Sequence, residues 1–364
     1  SARSPRRAPG LALHGGMRPP RAVLALASIA TARPAPAGSA PAAVLEELGD
    51  LEGEELPGGI AAFLDVPYAA PPVGPLRWRP PRPPSPWEAT RANPRALSRC
   101  PQPSEERRTY HGHPTRDTED CLVLNVFVQR WRLPSEQCTG ADVVGTCGRG
   151  EQANAEALAP VLVYIHGGSG MHGAAHNPGA SGADLAESQD LVCIDVNYRL
   201  GILGFLAHPE LSAEDAEAAQ AGDPWGGSGS YALLDQVAAL EWVQQHAASF
   251  GGDPDRVTIW GLSSGAQYVS ALLAFPFAGD LFHRAFVQSC VDLANVRRLT
   301  AGSDAWLGLS AEEWGEELGA RLGAPRGRGQ LRAMRSAPLR DLVRLSGDEA
   351  AMGCYEPAID GRWR

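Results

Sequence analysis

Ser263 is the residue whose type and setting most clearly predict chemistry. It is the central residue of the sequence GLSSG at residues 261–265, which follows an apolar run ending at Trp260 and precedes a helix-compatible run from Ala266 to Leu273. A glycine-flanked serine between a buried strand and a helix is typical of a nucleophile elbow, a turn that presents a serine hydroxyl over the carboxyl edge of a sheet. The pattern predicts a serine nucleophile, with a serine in an ordinary glycine-rich turn as the alternative.

A second glycine-rich turn supports this prediction. The apolar run Val161–Ile165 leads directly into the sequence HGGSG at residues 166–170. When a serine attacks a carbonyl group, the oxygen becomes negative, and one fixed N–H donor in a dry site stabilises that charge by about 3 kcal/mol. We expect the backbone N–H groups of Gly168, Ser169 and Ser264 to form such an oxyanion hole, with a simple structural turn as the alternative.

The elements that must position these turns follow from five short apolar runs, which are Leu122–Val128, Val161–Ile165, Leu191–Val196, Val257–Trp260 and Ala285–Gln288. Their nearly continuous apolar character is typical of strands that are covered on both faces. Helical patterns lie between the later runs, and the clearest extends from Tyr231 to Ser249. Strands that alternate with helices predict an α/β fold with a mostly parallel central sheet flanked by helices.

The remaining segments indicate how the chain is divided. Residues 1–43 are rich in Ala, Pro and Arg, and the composition of a folded domain extends from residue 44 to residue 364. Residues 129–160 show no periodicity and are expected to be a surface loop inserted between two strands. Ser310 and Glu313 have capping-box spacing, and a further helix is predicted near Leu331–Leu345.

The first 43 residues resemble a targeting segment. Met17 is followed by Arg18 and Arg21, by an apolar run from Ala22 and by the small residues Ala30-Thr31-Ala32. A basic flank, a short apolar core and small residues at its end predict a signal peptide and therefore secretion or the secretory pathway. An organellar transit peptide and a disordered tail are the alternatives, because no acidic residue precedes Glu46. No stretch approaches transmembrane length, so no stable membrane span is expected.

Composition excludes several functions. The 364 residues contain 32 Lys plus Arg against 42 Asp plus Glu, and the formal net charge of −10 argues against a nucleic-acid partner, which requires a basic surface. The chain contains no lysine. This absence excludes a phosphate-binding Walker loop, a protein kinase and Schiff-base chemistry, because each requires a lysine amine.

Cysteine and histidine spacing gives no sign of a metal site. None of the seven cysteines is in a Cys-x-x-Cys pair, and glycine and proline near His172 and His176 argue against a helix that would align them on one metal. No metal is therefore expected. The pairs Cys100 with Cys121 and Cys138 with Cys147 flank short polar segments, and the sequence leaves open whether they form disulfides or remain buried thiols.

Several ordered motifs resemble the type-B carboxylesterase and cholinesterase family of α/β-hydrolases. The resemblance extends from about residue 45 to the end, and the motifs are FLDVPYAAPPVG at 63–74 with LRW at 76–78, EDCLVLNV at 119–126, NYRLG at 197–201 with GF at 204–205, ALLDQ at 232–236, and FGGDP at 250–254 with RVT at 256–258. Their length and order make them much more specific than the serine turn alone.

This resemblance implies a fold and a set of site residues. The fold is the α/β-hydrolase, with a predominantly parallel sheet that has an antiparallel start. Ser263 is then the acyl-forming nucleophile, and Gly168, Ser169 and Ser264 lie at the oxyanion hole. The resemblance also implies that Cys100 pairs with Cys121, that the substrate is a small-molecule carboxylic ester, and that no cofactor is used.

Three features depart from the family pattern. Leu262 replaces the glutamate that usually precedes the nucleophile, which removes a carboxylate from the site. Ser169 replaces the last glycine of the oxyanion turn, although its backbone N–H remains. The family places its acid and histidine downstream of the serine, whereas every histidine here lies at or before His283. The chain therefore resembles an amino-terminal portion that lacks its carboxyl-terminal part, with acid and base expected beyond residue 364.

The histidines that are present are not expected to replace the missing base. His166 precedes the glycines at a strand end, where a role in bracing the turn is favoured over a role as base. His246 and His283 are expected to be packed or surface residues, and His111 and His113 lie in a polar loop. The sequence predicts a carboxylic ester hydrolase that acts through an acyl-serine. The alternative is a catalytically inert esterase-like protein that acts in adhesion or binding.

Overall fold

The computed structural model describes residues 39–103, 109–134, 158–176, 182–221, 226–290, 297–300, 309–347 and 358–359. The predicted targeting segment up to residue 38, most of the predicted inserted loop, and Cys138 and Cys147 lie outside these residues. None of the helices in this described part is long and apolar enough to cross a membrane.

The described residues form strands, α-helices and short 3-10 helices. The strands are β1 (Ala42–Leu45), β2 (Gly49–Glu52), β3 (Glu54–Leu56), β4 (Ile60–Pro67), β5 (Arg91–Ala92), β6 (Leu97–Arg99), β7 (Thr109–Tyr110), β8 (His113–Asp117), β9 (Val123–Gln129), β10 (Ala159–Ile165), β11 (Val192–Val196), β12 (Gly252–Leu262), β13 (Arg284–Gln288), β14 (Arg297–Arg298) and β15 (Ala358–Ile359). The α-helices are α1 (Gly182–Gln189), α2 (Gly201–Phe205), α3 (Pro209–Gln220), α4 (Tyr231–His246), α5 (Ser264–Ala274), α6 (Ala311–Arg321), α7 (Gln330–Arg335) and α8 (Leu339–Ser346). The 3-10 helices are Gly74–Leu76, Arg130–Arg132 and Ala247–Phe250.

The main sheet has seven strands in the order β13-β12-β10-β11-β9-β4-β3. β10 pairs in parallel with both β11 and β12, and β12 pairs in parallel with β13. The pairings of β11 with β9, β9 with β4 and β4 with β3 are antiparallel. This is an α/β sheet with an antiparallel start, as predicted, and its parallel half contains the strands that precede both glycine-rich turns.

Alternating residues of the strands pack into cores on opposite faces of the sheet. On β11, Val192, Ile194 and Val196 belong to the larger core, which also contains residues of α4 and α5. Cys193 points the other way and packs with Ala186 of α1 in the smaller core. Because both faces are covered by helices, the inner strands are apolar at consecutive positions, which explains the continuous apolar runs in the sequence.

A buried ion pair joins two of the sequence motifs. The guanidinium of Arg199, in the NYRLG motif, contacts the carboxylate of Asp235, in the ALLDQ motif, at 2.6 Å, and both side chains are buried. Removing one partner of a buried pair leaves an uncompensated charge and typically costs about 3–5 kcal/mol. This pair therefore locks the segment after β11 to helix α4.

Two predicted elements differ from the structure. In the part of the chain that the structure describes, all five residues of β13 are exposed, which differs from the predicted strand covered on both faces. The helix predicted near Leu331–Leu345 is two helices, α7 and α8, because Pro338 lies between them and its ring cannot continue a helix. The capping box at Ser310 and Glu313 is confirmed, since each side chain accepts the other residue's backbone N–H.

Candidate active site

The turn around Ser263 is a strand-to-helix elbow. β12 ends at Leu262, α5 begins at Ser264, and Ser263 between them has φ 58° and ψ −125°. A positive φ at a residue with a Cβ costs about 1–3 kcal/mol and persists only where the surrounding structure imposes it. The side chain of Ser263 is half-buried, and its backbone N–H donates to the carbonyl oxygen of Gln288 on β13 at 3.0 Å. Ser263 is thus held on a fixed backbone and is not fully buried.

Close backbone contacts require the two glycines of the elbow. A Cβ at Gly261 would lie 2.2 Å from the carbonyl oxygen of Gly265. A Cβ at Gly265 would lie 2.1 Å from the carbonyl oxygen of Ile165, at the end of β10. Both obstacles are backbone atoms, so no change of side-chain rotamer would relieve them. The absence of these two Cβ atoms allows α5 to pack directly against the strand that leads into the second turn.

The glycine turn, residues 167–173, lies against this elbow. A Cβ at Gly167 would lie 3.2 Å from the Cβ of Ser263 and 2.5 Å from the carbonyl oxygen of Leu262. The structure therefore brings together the two glycine-rich turns, which are far apart in the sequence. This contact places the predicted oxyanion donors beside the predicted nucleophile.

The backbone of the glycine turn is largely left-handed. Gly168, Ser169 and Gly170 have φ of 116°, 56° and 67°. The carbonyl oxygen of Gly168 accepts the N–H groups of Met171 at 2.9 Å and His172 at 3.1 Å. Ser169 is exposed, so its side chain has the space that replacing glycine requires, but it adopts a backbone conformation that favours glycine.

The three predicted oxyanion donors keep their hydrogen-bonding capacity. Within the described part of the chain, no group accepts a hydrogen bond from the N–H of Gly168, Ser169 or Ser264. Ser264 contributes the first N–H of α5, and the first N–H groups of a helix have no partner inside it and carry partial positive charge. Donors of this kind, beside a serine, can bind a carbonyl oxygen that becomes negative.

His166 braces the start of the glycine turn. Its ring is buried, stacks on Tyr198 with 4.3 Å between ring centroids, and bonds through Nδ1 to the carbonyl oxygen of Gly167 at 2.8 Å. The hydroxyl of Tyr198 donates to the carbonyl oxygen of His166 at 2.5 Å. Burial lowers the pKa of His166 to about 4, so the ring is neutral near pH 7. These contacts agree with the bracing role expected from the sequence.

The other histidines are held elsewhere. His176 is buried, and burial together with Arg99 lowers its pKa to about 4. His246 packs on Trp242, and His283 accepts the N–H of Val257 through Nδ1 at 3.2 Å. No hydrogen bond joins a histidine to Ser263 in the described residues. Those residues also contain no group of three or more His, Cys, Asp or Glu side chains placed to hold a metal ion.

Cys100 and Cys121 are joined in a disulfide, with 5.1 Å between their Cα atoms. The sequence left open whether this pair forms a disulfide or remains two thiols. The structure has the disulfide, which is the form that the family resemblance implies. Both residues are buried beside the main core. Cys193, by contrast, is a buried thiol, and burial followed by the nearby Asp195 raises its pKa well above the usual range.

Sequence reasoning missed the polar side chains behind the glycine turn. Asn197 accepts the N–H of Ala175 at 2.7 Å through Oδ1 and donates through Nδ2 to the carbonyl oxygen of Ser98 at 2.8 Å. The N–H of Ser98 in turn donates to the carboxyl group of Asp65 at 2.7 Å. Asn197 and Asp65 lie within quoted motifs, but nothing in a motif shows which distant backbone each residue contacts.

The family assignment can be tested against known proteins. The model of the carboxylesterase family matches residues 40–348. The chain belongs to the carboxylesterase family. This confirms the resemblance found in the sequence, and it places the nucleophile elbow and the glycine turn within the matched region.

The relatives of this carboxylesterase chain include proteins named as esterases and one protein whose name does not denote an enzyme. It is 40% identical over 241 residues to fumonisin B1 esterase of Sphingopyxis macrogoltabida, covering 66% of this chain and 38% of that protein. It is 35% identical to para-nitrobenzyl esterase of Bacillus subtilis (strain 168), covering 68% of this chain and 43% of that one. It is also 35% identical to mouse (Mus musculus) neuroligin-3, covering 66% of this chain and 30% of that protein.

A solved structure confirms the fold. A carboxylesterase of Geobacillus stearothermophilus superposes with a TM-score of 0.66 at 30% sequence identity, covering 89% of this chain and 56% of that one. The α/β-hydrolase fold class predicted from the sequence is therefore confirmed. The chain spans well under two thirds of the length of each of these relatives.

Proposed function

We propose that this chain carries the nucleophile and the oxyanion hole of a carboxylic ester hydrolase. The observation that carries the proposal is the contact between the strained elbow at Ser263 and a turn in which the N–H groups of Gly168 and Ser169 have no acceptor among the described residues. The esterase names of two relatives and of the solved structure support the same reaction.

The proposed reaction has two steps. The Oγ of Ser263 attacks the ester carbonyl carbon, and the N–H groups of Gly168, Ser169 and Ser264 hold the negative oxygen. The bond to the alcohol oxygen breaks, the proton of the serine passes through a base to the leaving alcohol, and an acyl-serine remains. Water then attacks the acyl-serine, which releases the acid and restores the hydroxyl. The substrate is a small-molecule ester, and no cofactor takes part.

The base and the acid are proposed to lie beyond residue 364. No hydrogen bond joins Ser263 to a histidine in the described residues, and the sequence contains no histidine after His283. We therefore expect little or no ester turnover by the 364-residue chain alone. Turnover by this chain that Ser263→Ala abolishes would contradict this expectation and reveal a base within it.

A covalent probe tests the proposal. An organophosphonate reacts with an activated serine, so it should label Ser263 of the folded, full-length protein. Ser263→Ala should remove the label. Ser270→Ala is the matched control, because Ser270 lies on the same helix and its hydroxyl donates to the carbonyl oxygen of Ala266 at 2.9 Å and contacts the Sγ of Cys290 at 3.9 Å. Absence of labelling in the folded wild-type protein would contradict the proposal.

The second candidate function is that of an inert esterase-like protein that acts in adhesion or binding. Its support is the similarity to neuroligin-3, whose name denotes no ester substrate. An unlabelled but folded protein would favour this candidate. Labelling at Ser263 would exclude it, because an inert surface needs no activated hydroxyl.

We propose that the protein enters the secretory pathway, with an organelle as the alternative destination. The basic and apolar segment from Met17 to Ala32 and the Cys100–Cys121 disulfide support this, since disulfides persist in oxidising compartments. Recovery of the native protein from the cytosol with Cys100 and Cys121 reduced would contradict the proposal.

A further inference from the structure

The side chain of Gln102 makes a paired contact with the backbone of the glycine turn. Its Oε1 accepts the N–H of Gly173 at 3.2 Å, and its Nε2 donates to the carbonyl oxygen of Gly173 at 3.0 Å. One side-chain amide thus satisfies both backbone polar groups of a single residue. Gln102 is only 5% exposed, so water does not compete effectively for these bonds.

The segment that holds Gln102 is itself anchored. Nε2 of Gln102 also donates to the carbonyl oxygen of Cys100 at 3.0 Å, and Cys100 is bonded covalently to Cys121. The next strand, β9, begins two residues after Cys121, so the anchor is tied to the main sheet. The amide of Gln102 therefore joins the glycine turn to a rigid part of the fold, not to a freely moving loop.

The contact at Gly173 reaches the predicted oxyanion donors through the turn. A Cβ at Gly173 would lie 2.6 Å from the carbonyl oxygen of Gly167, so these two residues are in direct backbone contact. A Cβ at Gly168 would lie 1.9 Å from the carbonyl oxygen of His172, whose N–H bonds back to the carbonyl oxygen of Gly168. In such a tightly packed turn, a displacement of Gly173 displaces Gly168 as well.

We propose that Gln102 is a positioning residue of the oxyanion hole, because it fixes Gly173 and, through the turn, the N–H groups of Gly168 and Ser169. In the described residues, the hydrogen bonds of Gln102 go to the backbone of Gly173 and Cys100 and not to Ser263, so it acts on the site through the backbone. The catalytic consequence rests on the proposed function of Ser263. The effect of Gln102 on the position of the glycine turn does not depend on the function of Ser263 and can be measured separately.

Hydrogen exchange tests the placement without any substrate. Gln102→Met keeps the length and volume of the side chain but removes both bonds to Gly173. The N–H groups of Met171 and His172 donate to the carbonyl oxygen of Gly168, and that of Gly173 donates to Gln102. We expect these three amides to exchange about tenfold faster or more in this variant, because the turn opens more often. Unchanged exchange in a folded Gln102→Met protein would overturn the inference, whatever the function of the protein is.

Gln330→Met is the matched control. Gln330 is buried to a similar degree, bonds His208 through Oε1 at 3.0 Å, and donates through Nε2 to the carbonyl oxygens of Glu316 and Ala324. His208 lies at the start of α3, Glu316 within α6 and Ala324 three residues after α6, so none of these partners belongs to the glycine turn. We expect Gln330→Met to lose a similar amount of stability to Gln102→Met while the amides of Met171, His172 and Gly173 exchange at the wild-type rate. This result would separate a local effect on the glycine turn from general destabilisation.

Ester hydrolysis by the full-length protein gives a second test of the role of Gln102. A small displacement of oxyanion donors lowers kcat about 10- to 100-fold, whereas KM should change less than about twofold because the donors act mainly on the transition state. A normal kcat in Gln102→Met would overturn the inference. Hydrolysis that is insensitive to Ser263→Ala would instead contradict the proposed function. The hydrogen-exchange measurement would then still test whether Gln102 fixes the glycine turn.

Gln102→Glu provides a variant that changes with pH. A protonated carboxyl group can donate to the carbonyl oxygen of Gly173 and accept from its N–H, whereas a carboxylate can only accept. We expect the kcat of Gln102→Glu, relative to wild type, to fall as pH rises and the carboxyl group ionises. A ratio that is independent of pH would contradict the requirement for a donor at this position.

Discussion

The elbow and the glycine turn face the same site, but different parts of the molecule hold them in place. The elbow is fixed locally, because Gly261 and Gly265 allow β12 and α5 to meet without a Cβ between them. Buried amide side chains from distant segments hold the glycine turn and the residues that follow it: Gln102 bonds Gly173 in the turn, and Asn197 bonds Ala175 just after it. The conformation of a catalytic turn can thus be fixed by short-range steric contacts or by hydrogen bonds from distant residues. Mutations that remove one kind of support should have different effects from mutations that remove the other.

Gly265→Ala should break the elbow and have the largest effect. The added Cβ would lie 2.1 Å from the carbonyl oxygen of Ile165, and neither backbone can move without separating α5 from β10. We expect a loss of about 3–5 kcal/mol in the free energy of unfolding, measured by urea denaturation. A loss below about 1 kcal/mol would show that the elbow is not sterically fixed.

Asn197→Ala should break the remote support of the glycine turn. The change leaves the N–H of Ala175 and the carbonyl oxygen of Ser98 unpaired in the interior, and we expect a loss of about 2–3 kcal/mol. Asn93→Ala is the control, since Asn93 also makes two bonds to backbone, with Leu64 and Ala62, but is only partly buried and lies away from the turn. Limited proteolysis within residues 167–176 should increase in the first variant only.

Asp65→Asn sharpens the comparison through pH. Burial raises the pKa of Asp65 to about 6, from an ordinary value of 3.8, even though the N–H of Ser98 donates to it. Because the folded pKa is the higher one, the contribution of Asp65 to stability is fully present below about pH 4 and is lost as pH rises through 6. The stability of Asp65→Asn relative to wild type should therefore increase by about 2 kcal/mol between pH 4 and pH 7. A difference that does not vary with pH would contradict the raised pKa.

Ser169→Gly should have the smallest effect. Ser169 has φ 56°, and glycine relieves that strain while it increases the entropy of the unfolded chain, so a net gain of about 0.5 kcal/mol is expected in thermal unfolding. The backbone N–H is unchanged, so ester hydrolysis should stay within about twofold of wild type. A loss of stability would show that the exposed hydroxyl makes a contact that the turn requires.

The sequence predicts the locally determined features well. Leu262–Ser263–Ser264 was identified as an elbow because its pattern, strand and helix are contiguous, and the capping box at Ser310 follows from a spacing of three residues. The contact of Gln102 with Gly173 joins residues 71 apart and leaves no periodic signal. The exposure of β13 was missed because an apolar run indicates a strand but does not show what covers it.

Trapping the acyl-serine tests the central claim most directly. The full-length protein would be mixed with an activated ester and quenched in acid within one turnover. It would then be digested, and the masses of its peptides would be measured. The account predicts one acyl group on the peptide that contains Ser263, and none in Ser263→Ala. Ester hydrolysis without an acylated Ser263, or with the acyl group on another residue, would contradict it.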